Sequence, residues 1–232
     1  ITYDYGKNIK DFKGVDLDYL EEKIKLFNPN HSEKFDFPKP HGGGTAYMNT
    51  IDKDGLGVSL IQSNFHGIGS RIGVGSFGFF LHNRGCGFNL DSKHPNYLTP
   101  GKKPLHTLSP TIWSKNGNLE FIAGTRGGRY QPQLLIQTIL PYIQKSDSFE
   151  EIIKEPRWVI ENFSSETISK LRFEKINNED LEILLKKGHE VEVENKLNKA
   201  YGPISIIYKK DHGNFEGVCD VRVGTEKVFN SF

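Results

Sequence analysis

Residues 42–63 read GGGTAYMNTIDKDGLGVSLIQS: three glycines run straight into two apolar stretches, 45–51 and 56–63, joined by Asp52-Lys53-Asp54-Gly55. An Asp-Gly pair between two such stretches predicts a β-hairpin, because the turn that matches strand twist needs positive φ. The hairpin then starts at Thr45. Ser63, on its second strand, is the right residue type to hydrogen-bond the Thr45 hydroxyl or amine across the sheet. A threonine hydroxyl is a poor nucleophile and needs a base within reach. Cutting the Gly44–Thr45 bond would supply one, since a free α-amine with a pKa of about 7.7–8 suits general-base work near neutrality. Gly42, Gly43 and Gly44 carry no Cβ and leave the Gly44 carbonyl open to attack by that hydroxyl. The same glycines also suit a flexible linker entering a strand.

Outward from the hairpin, DLDYLEEKIKLF at 16–27 places Leu17, Leu20, Ile24 and Phe27 at helical spacing behind Asp16 as a cap. Residues 28–44 are rich in Pro, Gly and polar side chains and read as an extended connection. Residues 66–101, glycine-dense and then turn-rich, suit either cleft-lining loops or a plain surface loop, around one short strand at 77–82. A second hairpin is expected from 108–114 and 118–124 around Asn116-Gly117. A helix follows over 132–145, kinked at Pro141, and another starts at Ser148, where SFEE matches a capping box. NNEDLEILLKKGHEV gives a further helix stopped at Gly188, and ISIIYK and EGVCDVRV give returning strands. Strands, a helical middle and strands again predict a layered α+β fold.

Between the second hairpin and its helix lies Arg126-Gly127-Gly128-Arg129. Two adjacent glycine amides can point at one oxyanion, each such donor being worth roughly 2.7–4 kcal/mol in comparable sites. A tight strand-to-helix turn would read the same way. Phosphate binding is disfavoured, because the lysine and Ser/Thr of a phosphate loop are absent. His106 and Thr107 follow a Pro-rich loop, placed to touch a ligand; a structural role explains His106 equally. The eight histidines form no HxxxH or HxH pair and no carboxylate dyad stands out, so neither metal nor cofactor is expected.

A net charge of +1 and a pI near 7.9 give no field for nucleic acid or an anionic membrane and point to a small-molecule partner. The 232 residues, 36% hydrophobic, support one sizeable core. The longest apolar runs fall far short of the roughly 20 residues that cross a bilayer. Cys86 and Cys219 lack metal spacing and read as two reduced thiols, with a disulfide between them left open; a cytoplasmic location follows from this. The chain begins at Ile1, which reads as a processed or partial terminus.

Taken in order, GGGTAYMNTIDKDGLGVSLIQS, GFFLHNRGCGF, PGKKPLHTLSPTI, GTRGGRYQPQ, EPRW and CDVR resemble the small subunit of the γ-glutamyltransferase family of N-terminal nucleophile hydrolases. The resemblance covers about residues 45–223. It implies an αββα sandwich built by a large and a small subunit cut from one precursor, as a heterodimer or a dimer of heterodimers. Residues 1–44 are then the end of the large subunit with the cleavage linker, and 45–232 the small subunit. It also implies Thr45 as nucleophile, Ser63 as the residue orienting it, Gly127 and Gly128 as the oxyanion hole, and His106 and Thr107 where two serines usually contact the substrate carboxylate.

The sequence departs from that pattern around the substrate. Asn83-Arg84-Gly85-Cys86-Gly87-Phe88 stands where the transferases read NN(Q/E)MDDF, so Gly87 replaces the acid that would hold a glutamyl amine, and Arg84 favours a carboxylate. Phe65 replaces an asparagine. The SLIQSN, NRG and QPQ signatures are similar to a divergent branch of glutathione hydrolase-like proteins and glutaryl-cephalosporin acylases. The expected reaction is hydrolysis of a γ-glutamyl or glutaryl-like amide such as glutathione, with weak or no transfer to amino-acid acceptors. A glutaryl-cephalosporin-type acylase and a relative that binds without processing itself remain open.

Overall fold

The expected hairpin is the edge from which the rest of the molecule is laid out. The computed structural model describes residues 44–144, 147–161, 170–210, 214–224 and 228, all within one compact unit. The helix expected at 16–27 and the connection through 43 lie outside the described residues. Strands β1 (Thr45–Ile51) and β2 (Gly57–Ser63) pair antiparallel with Thr45 opposite Ser63 and Ile51 opposite Gly57. Asp52 Oδ1 closes the turn by accepting the N–H groups of Asp54 and Leu56, both at 2.9 Å, and Gly55 takes the positive φ of +83°.

The second hairpin, β3 (Thr111–Lys115) and β4 (Asn118–Thr125), turns on Asn116 and Gly117, both at positive φ. Helices α1 (Gln131–Ile143) and α2 (Phe149–Ile152) follow. Strands β5 (Trp158–Ile160) and β6 (Lys170–Phe173), helix α3 (Asn178–Lys186) and β7 (Glu190–Val193) come next, then β8 (Ile204–Lys209) and β9 (Phe215–Cys219). The main sheet has the order β3-β4-β8-β9, antiparallel throughout.

Alternation along β4 separates two interfaces. Phe121 and Ala123 join Leu134, Leu135 and Ile139 of α1, Phe149 of α2, and Ile204 and Ile206 of β8 in the buried core, where each fully buried Leu, Ile or Phe contributes roughly 1.5–3 kcal/mol. Ile122 and Gly124 face the first hairpin instead. A Cβ on Gly124 would fall 2.1 Å from the Tyr47 ring, and one on Gly57 would fall 2.5 Å from Ile122 Cδ1. Asn49 Nδ2 adds a hydrogen bond to the Ser205 carbonyl at 3.3 Å. The hairpin thus lies flat on the main sheet, with helices on the sheet's other face. These are three layers of an αββα arrangement; on the hairpin's outer face Met48, Val58 and Leu60 stand exposed.

Two parts differ from expectation. No strand forms at 77–82: Gly75–Phe77 is a single 3₁₀ turn, Gly78 has φ +70°, and the apolar run is reduced to an isolated bridge between Gly73 and Phe80. Left-handed glycines at 75 and 78 reverse the chain too tightly for extended pairing. Conversely, β5, β6 and β7 form an unexpected three-stranded sheet, in which β6 and β7 run parallel across α3. Cys86 is exposed and Cys219 half-buried, and both are thiols, so the disulfide left open by the sequence does not form. Among the described residues no helix is long and apolar enough to cross a membrane.

A charged cluster sits where this small sheet meets the core. Arg157, Glu174, Asp220 and Arg222 are all buried. Arg157 Nη2 donates to Asp220 Oδ2 at 2.5 Å, while Arg222 donates twice to Glu174 and also to Asp220 Oδ1 at 3.2 Å. The remaining lone pairs are used: Glu174 accepts the Arg157 N–H, Asp220 accepts the Ile204 N–H, and Arg222 reaches the carbonyls of Ile153 and Glu155. Burial disfavours the Arg222 charge, but Glu174 and Asp220 outweigh it and hold its pKa above the ordinary arginine value. Such a cluster survives burial because every member is paired.

Candidate active site

The register of β1 against β2 brings the Thr45 hydroxyl to the Ser63 hydroxyl at 2.8 Å. Ser63 Oγ also accepts the Phe65 N–H at 3.0 Å, which fixes its position beyond the strand end. On the other side of Thr45, the Gly44 carbonyl accepts the Asn64 N–H at 3.1 Å. The bond preceding Thr45 is therefore held with its carbonyl polarised and its hydroxyl neighbour fixed. Gly44 has to be glycine here, since a Cβ would lie 1.7 Å from the Gly67 carbonyl oxygen. Among the described residues no histidine or carboxylate touches the Thr45 hydroxyl. Tyr47, two residues along the same face, is no base either, because burial pushes its hydroxyl up to about 12. Among the described residues the side chain in hydrogen-bond contact with the Thr45 hydroxyl is Ser63, neither a histidine nor a carboxylate.

The hairpin's packing sets the direction of approach. Gly57, beside Ile51 in the ladder, sits on Ile122, whereas Tyr47 sits on Gly124. Moving from Ile51 toward Thr45 thus follows β4 toward its end at Thr125, where the chain enters Arg126-Gly127-Gly128. Gly127 has φ +130° and Gly128 φ +58°, and among the described residues neither amide donates a hydrogen bond. The turn is braced from behind. Thr125 Oγ1 donates to Pro203 O at 2.9 Å, Arg126 O closes on Gly202, and Arg157 Nη1 holds the Tyr201 and Gly202 carbonyls at 3.1 and 2.8 Å. Two unused amides on a braced turn can stabilise a developing oxyanion.

The third part is the turn Arg84–Gly87. Asn83 ties it to the end of β2: its side chain accepts the His66 N–H at 2.9 Å and donates to the His66 and Gly69 carbonyls. Arg84 is 7% exposed, with its guanidinium 5.3 Å from the centre of the Phe65 ring and Nη1 donating to Thr107 Oγ1 at 3.3 Å. Its Nη2 is buried with no hydrogen-bond partner among the described residues. His106, beside Thr107, is exposed. Of the residues singled out in the sequence, Thr45, Ser63 and Gly44 come together, Arg84 and Thr107 come together, and Gly127 and Gly128 follow the end of β4 toward which β1 runs back from Ile51 to Tyr47. No role is read from the sequence for Asn64 or Gln131, and Asn83 enters there only as part of the run 83–88. Gln131 receives the Ser109 N–H at 3.0 Å, and its place immediately after a glycine turn is the signal that could have found it. Among the described residues no three His, Cys, Asp or Glu side chains gather to hold a metal.

A family model described as Gamma-glutamyltranspeptidase matches residues 8–229. The chain belongs to the gamma-glutamyltranspeptidase family. It is 36% identical to the glutathione hydrolase-like YwrD proenzyme of Bacillus subtilis over 185 residues, 79% of this chain and 35% of that protein. It is 34% identical to the oxamate amidohydrolase proenzyme of Klebsiella pneumoniae over 189 residues, 79% of this chain and 36% of that one. Among solved structures, the cephalosporin acylase from Bacillus halodurans superimposes with a TM-score of 0.66 and 32% identity, over 76% of this chain and 32% of that chain. The chain thus spans about a third of the length of the curated relatives it matches. Its α+β fold is that of the family's N-terminal nucleophile hydrolases.

Proposed function

We propose that this gamma-glutamyltranspeptidase family chain carries the nucleophile of an autoprocessed amidohydrolase, with Thr45 as first residue of the small subunit after cleavage from one precursor. The observation that carries this is the Thr45–Ser63 contact of 2.8 Å beside a Gly44 carbonyl already held by the Asn64 N–H. Processing begins when the Thr45 hydroxyl adds to the Gly44 carbonyl; the C–N bond breaks, an ester forms, and water hydrolyses it to leave a free α-amine. In turnover that amine takes the hydroxyl proton as Thr45 Oγ1 attacks the substrate amide, and the proton passes to the departing amine. Gly127 and Gly128 stabilise the tetrahedral oxygen, Ser63 orients the nucleophile, and Arg84, Thr107 and His106 bind the acyl end. Water then resolves the acyl-enzyme.

The acyl group is of γ-glutamyl or glutaryl type, and hydrolysis dominates over transfer, in keeping with relatives named as a glutathione hydrolase-like protein and an amidohydrolase. A cephalosporin-type acylase is a second reading, favoured by the likeness to the Bacillus halodurans acylase. The test is p-nitroaniline release from γ-glutamyl and glutaryl anilides by the full-length protein. The wild type is expected to hydrolyse at least one, with no acceleration by glycylglycine, and Thr45→Ala to hydrolyse neither. Undiminished turnover by Thr45→Ala would sink the reading.

A further inference from the structure

The segment that leads from Lys102 into β3 is held by very little. Residues 103–110 form no regular secondary structure, and Pro104 and Pro110 have no N–H to give. Among the described residues the segment takes part in two hydrogen bonds. One is donated by Arg84 Nη1 to the Thr107 hydroxyl at 3.3 Å. The other is donated by the Ser109 N–H to Gln131 Oε1 at 3.0 Å. The β3–β4 register, with Thr111 opposite Ala123, brings Ser109 level with Thr125 when carried two residues further, where β4 ends and the glycine turn begins. Gln131 stands at the other end of that turn. Its backbone N–H donates to the Gly128 carbonyl, as the Tyr130 N–H donates to that of Gly127 at 3.1 Å. One residue thus holds the glycine turn through its main chain and the 103–110 segment through its side chain.

Gln131 is fully buried, and its Nε2 has no partner among the described residues. A buried donor left unmet works against folding, and a methionine of similar length would carry none. What the carboxamide adds in return is the acceptor for Ser109. We propose that Gln131 is a positioning residue that fixes the 103–110 segment, and Thr107 with it, at a set distance from the Gly127 and Gly128 amides. This rests on the reading of Thr45 as the acylated residue, because that distance matters only when a substrate lies across it. Gln131 makes no bond to the substrate itself. It acts on where the acyl carbon sits when Thr45 Oγ1 attacks, and small errors in such a placement are costly to rate.

Gln131→Met keeps the length of the side chain and removes the acceptor. In the full-length protein it is expected to lower kcat per folded molecule by ~10–100-fold on whichever anilide the wild type hydrolyses, with KM changed less than about 3-fold. The melting temperature is expected to be no lower, since the unmet donor goes with the acceptor. A residue that only supports the fold does the opposite, lowering the melting temperature and leaving kcat per folded molecule unchanged, and that result overturns the proposal. Gln131→Glu keeps an oxygen for the Ser109 N–H and is expected to stay within about 5-fold of the wild-type kcat. A loss as deep as that of Gln131→Met overturns the proposal too. Hydrogen–deuterium exchange separates the contact from the reaction. Ser109 carries the one hydrogen-bonded N–H of residues 103–110 among the described residues. In full-length Thr45→Ala protein, adding Gln131→Met is expected to speed exchange at that amide at least about 10-fold. Faster exchange upholds the positioning contact even where the wild type hydrolyses neither anilide, an outcome that removes the Thr45 reading alone. Unchanged exchange overturns the contact, and faster exchange with unchanged kcat overturns its part in the reaction.

Discussion

Arg222 and Arg84 lie at nearly the same depth, 4% and 7% exposed, yet the chain treats them in opposite ways. Arg222 meets two carboxylates and two carbonyls and has no donor left over for a ligand. Among the described residues Arg84 meets one hydroxyl and one aromatic ring and leaves Nη2 without a partner. Taking a guanidinium out of water costs several kcal/mol unless partners repay it. A charge repaid inside the chain holds the fold; one left without a partner among the described residues contributes little to it. The same contrast separates the braced carbonyls of Tyr201 and Gly202 from the unused amides of Gly127 and Gly128.

The largest effect expected from this contrast is on stability. Arg222→Ala leaves Glu174 and Asp220 buried beside too little positive charge and should cost about 3–5 kcal/mol in urea denaturation of the full-length protein. A loss below about 1 kcal/mol would erase the distinction between the two arginines. Gly127→Ala acts on the unused amides instead. With φ at +130°, an alanine strains or rotates this peptide, and kcat should fall by roughly 10²-fold with KM little changed. Equal kcat in a folded variant would remove the turn from the reaction.

Arg84→Gln, by contrast, should alter the stability of the ligand-free protein by less than about 1 kcal/mol, because no ion pair is broken and an unsatisfied donor is relieved. Arg84 then loses ligand affinity without loss of fold, and Arg222 the reverse. A further change concerns Tyr47, whose hydroxyl meets Ser59 at 3.0 Å. Burial raises it from 10.0 to about 12, so the neutral form stabilises the fold fully below pH 10 and that contribution is lost as pH rises through 12. Tyr47→Phe should cost about 1 kcal/mol at neutral pH and flatten the alkaline decline seen by thermal melting.

What the sequence revealed follows the range of the forces involved. Both hairpins are set by neighbours: Asp54-Gly55 and Asn116-Gly117 fix turns, and alternation fixes faces, so the Thr45–Ser63 pairing was legible. The apolar run at 77–82 misled because Gly75 and Gly78 override side-chain pattern there, leaving Phe79 and Phe80 exposed. Strands β5, β6 and β7 are three or four residues long, and KLRF and EVEV mix charge with apolar side chains, so their period is too short to register. The charged quartet was hidden for another reason, since Arg157 and Glu174 lie far in sequence from the Asp220–Arg222 pair and each looks like a surface residue one at a time. Asn64 acts through its backbone N–H, which no side-chain pattern announces.

The proposed chemistry turns on Thr45, and intact-mass measurement with N-terminal sequencing of the purified full-length protein tests it most directly. The prediction is a new chain beginning Thr-Ala-Tyr-Met-Asn, with the break between Gly44 and Thr45 lost in Thr45→Ala. A polypeptide that stays unbroken across Gly44–Thr45 while hydrolysing its substrate would contradict it, since Thr45 would then have no amine to act as its base.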